Sequence, residues 1–367
     1  MEQEQHLYTI ALTKIPNVGP ITAKNLVSYC GSPKAVFFEK KHRLLSIPGV
    51  GDQTANNITS AEVLHEAEKD YENCIKNQAA FLSYLDAEYP SRLKAIADSP
   101  IILYYKGNQS LNPDRALAIV GTRKISPYGK EMVHQIVRDL AQEQIMIVSG
   151  LAYGVDTHAH KASVEHGLPT IAVLAHGIES IYPADNTKLA QQMMENGGIL
   201  TEYPVGSIPD KEHFPMRNRI VAGMTDATLV IETAVDGGSM ITATFANEYH
   251  KDVLALPGRT TDSMSEGCNL LIKTHRAQLI ENAEDILQAL CWNKKSESVK
   301  PKRSLFLELS EDEQIVFNII KDAGEIHVDA LQIQAQFNSG KLASTILQLE
   351  LKSAVNCLPG KRYSVSL

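Results

Sequence analysis

A short basic segment with one aromatic ring offers the clearest chemistry in this chain. In PDKEHFPMRNRIVAG (209–223), Lys211, Arg217 and Arg219 supply three cationic groups, and Phe214 lies among them. Cationic groups contact phosphates, and an aromatic ring stacks on any base. Because duplex bases are already stacked on one another, the combination favours an unpaired strand as ligand. The competing interpretation is that Phe214 belongs to the core and that the charges form a solvated face.

A second candidate follows the apolar run ALAIV (116–120), which leads directly into GTRKISPYG. Gly121 permits a tight turn there, and Thr122 and Arg123 come next. Arginine suits a phosphate site because its guanidinium forms two parallel hydrogen bonds and stays charged at any physiological pH. The alternative for Arg123 is an ion pair with a neighbouring carboxylate.

Two glycine-containing segments also follow apolar runs. In VSGLAYGVDTHAH, Ser149 and Gly150 are expected to leave backbone N–H groups accessible just before a helix, which is a geometry that cradles phosphate. In ETAVDGGSMITA, a helix is expected to begin at the D-G-G-S sequence, with a cap and free N–H donors. The residues assigned to this second turn are Gly237, Gly238 and Ser239.

Other kinds of site lack their usual motifs. Neither G-x-G-x-x-G nor G-x-x-x-x-G-K-[ST] occurs, so dinucleotide binding and P-loop ATP hydrolysis lose their main support. His158 and His160 are two residues apart on a predicted helix and therefore point to different faces, which disfavours a shared metal. The five cysteines form no C-x-x-C pair, which argues against zinc and a disulfide framework. We expect no cofactor, no metal and no catalytic site.

The elements that must position these groups alternate between strand and helix. Continuous apolar runs separated by helical patterns predict an α/β fold with a buried parallel sheet covered on both faces. In such sheets the ligand crevice lies at the carboxyl ends of the strands, which places Arg123 and the basic segment on one rim. The predicted strands are 116–120, 145–149, 170–174, 198–201, 227–232 and 252–256, and the predicted helices between them are 128–141, 155–166, 185–196, 213–222 and 239–250.

Four segments are expected along the chain. Residues 1–72 contain the repeat I-P-x-V-G-x-x-T-A-x-N at 14–27 and 46–59, which predicts two helix-hairpin-helix motifs that either contact DNA or only dock. Residues 75–290 form an extended Rossmann-like domain. A Lys/Ser-rich linker spans 293–304. Residues 305–367 have the outline of a winged helix, with helices at 311–322, 328–335 and 339–351 and strands near 354–358 and 363–365.

Charge and hydropathy limit the partners and the compartment. The formal net charge of −8 disfavours nonspecific coating of nucleic acid, so cationic groups must be concentrated locally. In the winged-helix segment Asp and Glu outnumber Lys and Arg, so we expect that segment to contact protein or itself rather than duplex DNA. No apolar run is long enough to span a bilayer, and no secretory signal is visible, which indicates no membrane and a cytoplasmic location.

Taken together, these motifs resemble those of the DprA/Smf (DNA-processing protein A) family in order and spacing. The resemblance rests on GTRKISPYG, SGLAYGVDTHAH, KEHFPMRNR, ETAVDGGSMITA and LPGRTTDSMSEGCNLLI, and it covers about 100–285. It implies a homodimer that binds and protects single-stranded DNA independently of sequence and helps to load the recombinase RecA during natural transformation, with no established enzymatic activity. It assigns nucleic-acid contacts to Arg123, Lys211, Phe214, Gly121, Ser149, Gly150 and the R-N-R sequence Arg217, Asn218 and Arg219. Residues 265–282 are a candidate for the dimer or RecA surface.

Two alternatives belong to other functional classes. A nucleotide-processing hydrolase on a related Rossmann-like fold, such as the cytokinin-activating phosphoribohydrolases, would carry P-G-G-x-G-T with a catalytic glutamate and arginine. Here the stretch is DGGSMITA, and Glu202 and Glu232 have no evident nucleophile or base beside them. Release of free base from nucleoside monophosphates would favour that enzyme. An adaptor acting through its winged helix would leave the glycine-lined crevice without a purpose.

Overall fold

The computed structural model of this chain describes residues 2–58, 61–292, 309–352, 354–358 and 361–365. It divides into two compact units, Met1–Trp292 and Asn293–Leu367. The linker predicted at 293–304 lies outside the described residues. Within the described ranges, no helix combines the length and the apolar character that a membrane crossing requires.

The first unit begins with six helices that contain the predicted hairpins. The turn between the first two helices has Asn17 at φ 64°, and the turn before the fifth has Gly49 at φ 86°. Both are the third residue of the I-P-x-V-G repeat, so the repeat requires a left-handed residue at that position, and asparagine tolerates this conformation better than most residues. The helices are α1 Glu2–Lys14, α2 Pro20–Cys30, α3 Pro33–Phe38, α4 Lys41–Leu44, α5 Asp52–Ile58 and α6 Ala61–Lys76.

A nine-stranded sheet follows, and it is parallel over seven of its strands. The six predicted strands are present within one or two residues, because buried parallel strands appear as continuous apolar runs. Three strands were not predicted. Two of them, β1 and β2, pair antiparallel to each other, and β2 also pairs antiparallel to β6. The strands are β1 Ala80–Ser83, β2 Ile102–Gly107, β3 Ala116–Val120, β4 Met146–Ser149, β5 Thr170–Val173, β6 Gly197–Thr201, β7 Ala227–Val230, β8 Asp252–Ala255 and β9 Gln278–Leu279, in the order β1-β2-β6-β5-β4-β3-β7-β8-β9.

Helices cover both faces of this sheet, as the apolar runs require. Along β3, Leu117 and Ile119 join the core beneath α8, α9 and α14, whereas Ala118 and Val120 join the core beneath α11, α12 and α13. Side chains alternate along a strand, so each face obtains its own apolar layer. The helices are α7 Ser91–Lys94, α8 Pro127–Leu140, α9 Val155–Glu165, α10 Thr187–Met193, α11 His213–Gly223, α12 Gly238–Glu248, α13 Glu266–Lys273 and α14 Ala283–Ala289.

The N-terminal helices are not a separate body, because they share a core with the sheet. Ile10 of α1 and Leu26 of α2 are fully buried in the same apolar cluster as Ile199 of β6. The amine of Lys24 in α2 also donates hydrogen bonds to the carbonyl oxygens of Ile96 (3.1 Å) and Ala97 (3.0 Å) and to the hydroxyl of Ser99 (2.6 Å). Both basic residues of the first hairpin segment are therefore used inside the unit, since Lys14 forms an ion pair with Asp70 of α6.

The second unit is a small winged helix. Its helices are α15 Glu311–Ala323, α16 Val328–Ala335 and α17 Ser339–Leu351, and its strands are β10 Glu325–His327, β11 Val355–Leu358 and β12 Arg362–Val365. The strand β10, absent from the sequence prediction, pairs with β12 and completes an antiparallel sheet of order β10-β12-β11. A capping box at Ser310 and Glu313 starts α15 and satisfies its first N–H groups.

We expect Lys24→Met to destabilise the first unit. Burial lowers the pKa of the Lys24 amine to about 8, and below that pH the charged amine makes all three hydrogen bonds. Its loss leaves two carbonyl oxygens without this donor, at a cost of about 1–3 kcal/mol in the free energy of unfolding. Urea denaturation below pH 8 measures the change. Lys34→Met, which removes only an exposed ion pair with Glu4, is the control, and an equal shift for both variants would contradict the prediction.

Candidate nucleic-acid interface

A crevice opens where the direction of strand order reverses. From β3 the chain proceeds to β4, β5 and β6 on one side, and then returns to β7 on the other. This reversal separates the loops that leave β3 and β7, and ligands bind at such switch points in open parallel sheets. The crevice has a volume of about 610 Å³ and is lined by the turns after β3, β4 and β7 together with α11 and α12.

The rim of the crevice brings together two cationic groups and two aromatic rings. The guanidinium carbon of Arg123 lies 5.4 Å from the centre of the Phe214 ring, and the Tyr182 ring lies 5.9 Å from the same ring. Lys211 lines this crevice too. Within the described parts of the chain, no carboxylate forms an ion pair with either cation. The side chains predicted to share one groove therefore do so, and Phe214 is only partly buried.

The floor of the crevice is held by a buried arginine. Arg217 is 4% exposed, and its guanidinium donates to the carbonyl oxygens of Gly150 (2.6 Å) and Val173 and to Oδ1 of Asn218 (3.2 Å). The carboxylate of Asp156 lies nearby; burial raises its pKa, and the charge of Arg217 opposes that rise. Arg217 was predicted as a phosphate contact; its Nε and Nη1 groups donate to oxygens of the protein itself, while the residue lines the crevice, so that role stays a prediction.

The turn after β4 also differs from the predicted backbone cradle. The N–H groups of Gly150 and Ala152 donate to Oδ2 of Asp156 (3.1 and 3.3 Å), so the Gly150 N–H is not free to bind phosphate. Glycine is required at 150 for a different reason: a Cβ there would lie 2.4 Å from the Arg217 guanidinium. Asp156, in the first turn of α9, therefore binds N–H groups of the preceding loop.

Two predicted site residues are not brought to the crevice. Ser149 is fully buried, and its hydroxyl donates to the carbonyl oxygen of Ile119 (2.6 Å) within the sheet. Arg219 is 4% exposed and forms an ion pair with Glu202 and a hydrogen bond to the Asp98 carbonyl oxygen (2.8 Å). The prediction that three cations of the basic segment share one site is therefore wrong for Arg219, whereas Lys211 and Arg217 both line the crevice.

The start of α12 contributes backbone and hydroxyl groups. Its N-cap is Gly237, and no side chain caps the helix, so the cap predicted at the D-G-G-S sequence is absent here and the first N–H groups of α12 are left uncapped beside the crevice. Ser239 is buried, and its hydroxyl has no hydrogen-bond partner among the described residues. The Asn218 amide donates to the Gly238 carbonyl oxygen (3.3 Å), which ties α11 to this turn.

The turn after β3 is shaped by a close approach to α9. A Cβ on Gly121 would lie 2.5 Å from Cγ2 of Val155, so only glycine fits there. The backbone of Thr122 is bonded on both sides, its N–H to the Glu232 carbonyl oxygen (2.6 Å) and its carbonyl oxygen to the Val155 N–H (3.1 Å). This anchoring leaves the Arg123 side chain projecting from a fixed turn.

The glutamates and histidines that the sequence offered as catalytic or metal-binding candidates make contacts within the protein. Glu232 accepts hydrogen bonds from the N–H (2.9 Å) and hydroxyl (2.5 Å) of Ser126, and Glu202 pairs with Arg219. His158 faces His134, whereas His160 is buried against Thr170, so the two histidines do point in different directions. In the described ranges no three His, Cys, Asp or Glu side chains are grouped as metal ligands.

Comparison with known proteins agrees with this architecture. A family model described as DNA recombination-mediator protein A matches residues 80–291, which is more than half of the chain. The chain belongs to the DprA/Smf family. A model of a SAM-like helix-hairpin-helix tandem matches residues 9–61, and a model of the DprA winged helix domain matches residues 300–361.

Individual DprA/Smf proteins are similar over most of their length. Protein Smf of Synechocystis is 34% identical over 79% of this chain and 74% of its own. The crystal structure of DNA processing protein A from Streptococcus pneumoniae has a TM-score of 0.64 at 31% identity and covers 77% of this chain and 96% of its own. A solved structure of DNA processing protein A from Helicobacter pylori, described for its single-stranded DNA binding mode, has a TM-score of 0.53 at 34% identity and covers 59% of this chain and 96% of its own.

Sequence reasoning missed part of the crevice lining. Tyr182 and Met264 both line it, on loops after β5 and β8 that are far from the basic segment in sequence. The Tyr182 ring could have been noticed, because it lies in the loop that follows a predicted strand. Residues 265–282, predicted as a dimer or RecA surface, contain α13 and the edge strand β9, and that role stays a prediction.

We expect Gly150→Ala to disturb the crevice floor. The new methyl group would overlap the buried Arg217 guanidinium, and relief of this overlap requires breaking the bonds to Gly150 and Val173. Overpacking of this kind costs about 1–3 kcal/mol in the free energy of unfolding. Thermal or urea denaturation measures the loss. The matched control is Gly238→Ala, because no atom lies within 4 Å of a Cβ at that position. Equal stability of both variants with the parent would contradict the role given to Arg217.

Proposed function

We propose that this protein binds single-stranded DNA in the crevice between β3 and β7, independently of sequence, and that it acts by binding rather than by catalysis. The observation that carries the proposal is the arrangement of the Arg123 guanidinium over the Phe214 ring, with Lys211 on the same rim. Together these groups offer a charged contact for the sugar–phosphate chain and a ring for a base. Neither contact reads the edge of a base, so the binding tolerates any sequence.

Several features favour an unpaired strand over a duplex. A partly exposed ring can accept a base only if that base is not already stacked in a helix. The helix start at Gly238 adds N–H donors that suit a phosphate oxygen. The H. pylori relative, which is 34% identical over its match, is a single-stranded DNA binder by description. The chain as a whole has a net charge of −8, so the attraction depends on cations that are concentrated locally, as they are on this rim.

A binding role rather than hydrolysis is supported by what the acidic groups do. Asp156 is the single carboxylate among the residues that line the crevice, and it is bound to two backbone N–H groups beside Arg217. A hydrolase of nucleotides needs a carboxylate that can exchange protons with substrate or water. Glu202 and Glu232, the acids considered from the sequence, do not line the crevice. Glu202 pairs with Arg219, and Glu232 accepts hydrogen bonds from Ser126.

We expect Arg123→Ala and Lys211→Ala each to weaken binding of oligo-dT and of mixed-sequence strands by the same factor, about tenfold at low salt, because each loses one charged contact. Each loss should also reduce the slope of log K against log salt by ~0.7, the value for one phosphate of a single strand. Fluorescence anisotropy across a salt series measures both. Arg138→Ala, at the far end of α8 and paired with Asp139, is the charge control.

Phe214→Ala separates stacking from charge in the same assay. It should weaken binding by about 1–3 kcal/mol while the salt slope stays unchanged, because an aromatic ring displaces no counterions. The crevice would not be the binding site if Arg123→Ala, Lys211→Ala and Phe214→Ala all bound single strands as the parent does. Stronger binding of duplex than of single strands by the parent would also contradict the proposal.

We further propose, on the basis of the family resemblance, that a homodimer of this protein protects the bound strand and promotes RecA loading in natural transformation or recombination. A strand gripped by its backbone on one side leaves the other side accessible to a second protein. We expect this protein to accelerate RecA-dependent strand exchange on strands coated with single-strand-binding protein, and Lys211→Ala to reduce that acceleration. Sedimentation of the free protein tests the dimer, and unchanged exchange rates would contradict the mediator role.

A further inference from the structure

A second cavity lies beside the crevice and shares one wall with it. It has a volume of about 500 Å³, and it is formed by the segment between β3 and α8, the first turn of α8 and the start of α9. Arg123 lines both cavities. The second cavity is lined by Arg123, Lys124, Ile125, Lys130, Tyr153, Gly154, Thr157 and His158.

The charge of this cavity is positive and accessible. Lys124 and Lys130 are exposed, Arg123 is exposed between the two cavities, and no carboxylate belongs to the lining. Two acids lie near the lining: the Asp185 carboxylate accepts a hydrogen bond from the Tyr153 hydroxyl (2.9 Å), and Glu165 pairs with His134 beside His158. That bond holds a half-exposed ring at the mouth of the cavity. Three cations beside an exposed ring repeat the combination found at the first crevice.

The ridge between the cavities is backbone rather than side chain. Gly154 has a φ of 78°, and a Cβ there would lie 2.2 Å from the carbonyl oxygen of Thr122 and 2.8 Å from Cα of Arg123. The turn after β4 therefore packs directly on the turn after β3, and no side chain of residue 154 stands between the two cavities. A chain of phosphates that leaves the first crevice at Arg123 meets the second cavity without a side-chain barrier at this point.

We propose that the second cavity binds the continuation of the same single strand, with Lys124 and Lys130 contacting phosphates beyond the one held at Arg123. The proposal rests on the proposed function of the first crevice, and it adds the direction in which the strand leaves. A polynucleotide fits better than a free nucleotide because the shared Arg123 makes the two cavities one continuous cationic path. Tyr153 lies where a base of that continuation can stack.

Strand length separates the two cavities in an experiment. A short oligo-dT of about 4 nucleotides reaches only the first crevice, whereas one of about 15 nucleotides also reaches the second. We expect the double variant Lys124→Ala/Lys130→Ala to bind the short strand within twofold of the parent. It should bind the long strand about tenfold or more weakly, with a salt slope smaller by ~1.4, which corresponds to two phosphates of a single strand. Both lysines are exposed, and equal thermal midpoints verify that the variant folds.

The controls distinguish this inference from the function on which it rests. Lys69→Ala/Lys76→Ala removes two exposed cations from α6 and should leave both strands unaffected. Equal weakening of short and long strands by the Lys124/Lys130 variant would overturn the inference, as would no weakening of either while Lys211→Ala still impairs both. If the Lys124/Lys130 variant loses only the binding of labelled thymidine monophosphate, the cavity binds a free nucleotide. That result would also overturn the inference. If the parent binds neither strand, the proposed function fails and the inference fails with it.

Discussion

The buried guanidinium of Arg217 determines the geometry on which the crevice depends. It extends from α11 beneath the turn after β4 and bonds to carbonyl oxygens at the ends of β4 and β5. A buried charge is costly unless it is paired and hydrogen-bonded. Here the carbonyl oxygens of Gly150 and Val173 accept hydrogen bonds from the guanidinium, and the negative charge of Asp156 lies nearby. Because α11 also carries Phe214 and Asn218, the position of the ring and of the link to α12 follows from this one anchor.

The anchor explains why the loops around it have so little freedom. Gly150 lies against the guanidinium, and its own N–H is bonded to Asp156. The turn after β4 is therefore held by contacts with both residues. The turn after β3 is held in a comparable way by Val155 and Glu232. The two cations of the rim, Arg123 and Lys211, are instead carried on long, exposed side chains. In this site the backbone is fixed and the cations lie at the ends of long side chains. Such a site suits a flexible polymer with regularly spaced charges better than a small ligand of fixed shape.

The sequence predicted the fold well where strands are buried on both faces of the sheet. It predicted the site only in part. Strands buried on both faces are continuous apolar runs, so all six predicted strands were found. IILYY, which contains most of β2, is also such a run, but its antiparallel pairing with β6 has no local signal. Residue type alone does not separate a surface arginine from a buried one. Helix geometry does separate them: Arg217 and Arg219 are two residues apart, about 200° around α11, so they cannot both face the crevice. The same argument correctly separated His158 from His160.

The second arginine of the pair has a structural role that links the N-terminal helices to the crevice. Arg219 bonds to the carbonyl oxygen of Asp98, whose carboxylate accepts from the Tyr249 hydroxyl (2.9 and 3.0 Å) next to α12. Lys24 of α2 holds the adjoining carbonyl oxygens of the same loop. Residues 96–99 therefore connect the first hairpin to both helices that border the crevice. Lys24 is bonded to this loop and Lys14 is paired with Asp70, so the hairpin supports the sheet domain at this point, and any phosphate contact of the N-terminal helices must come from other groups.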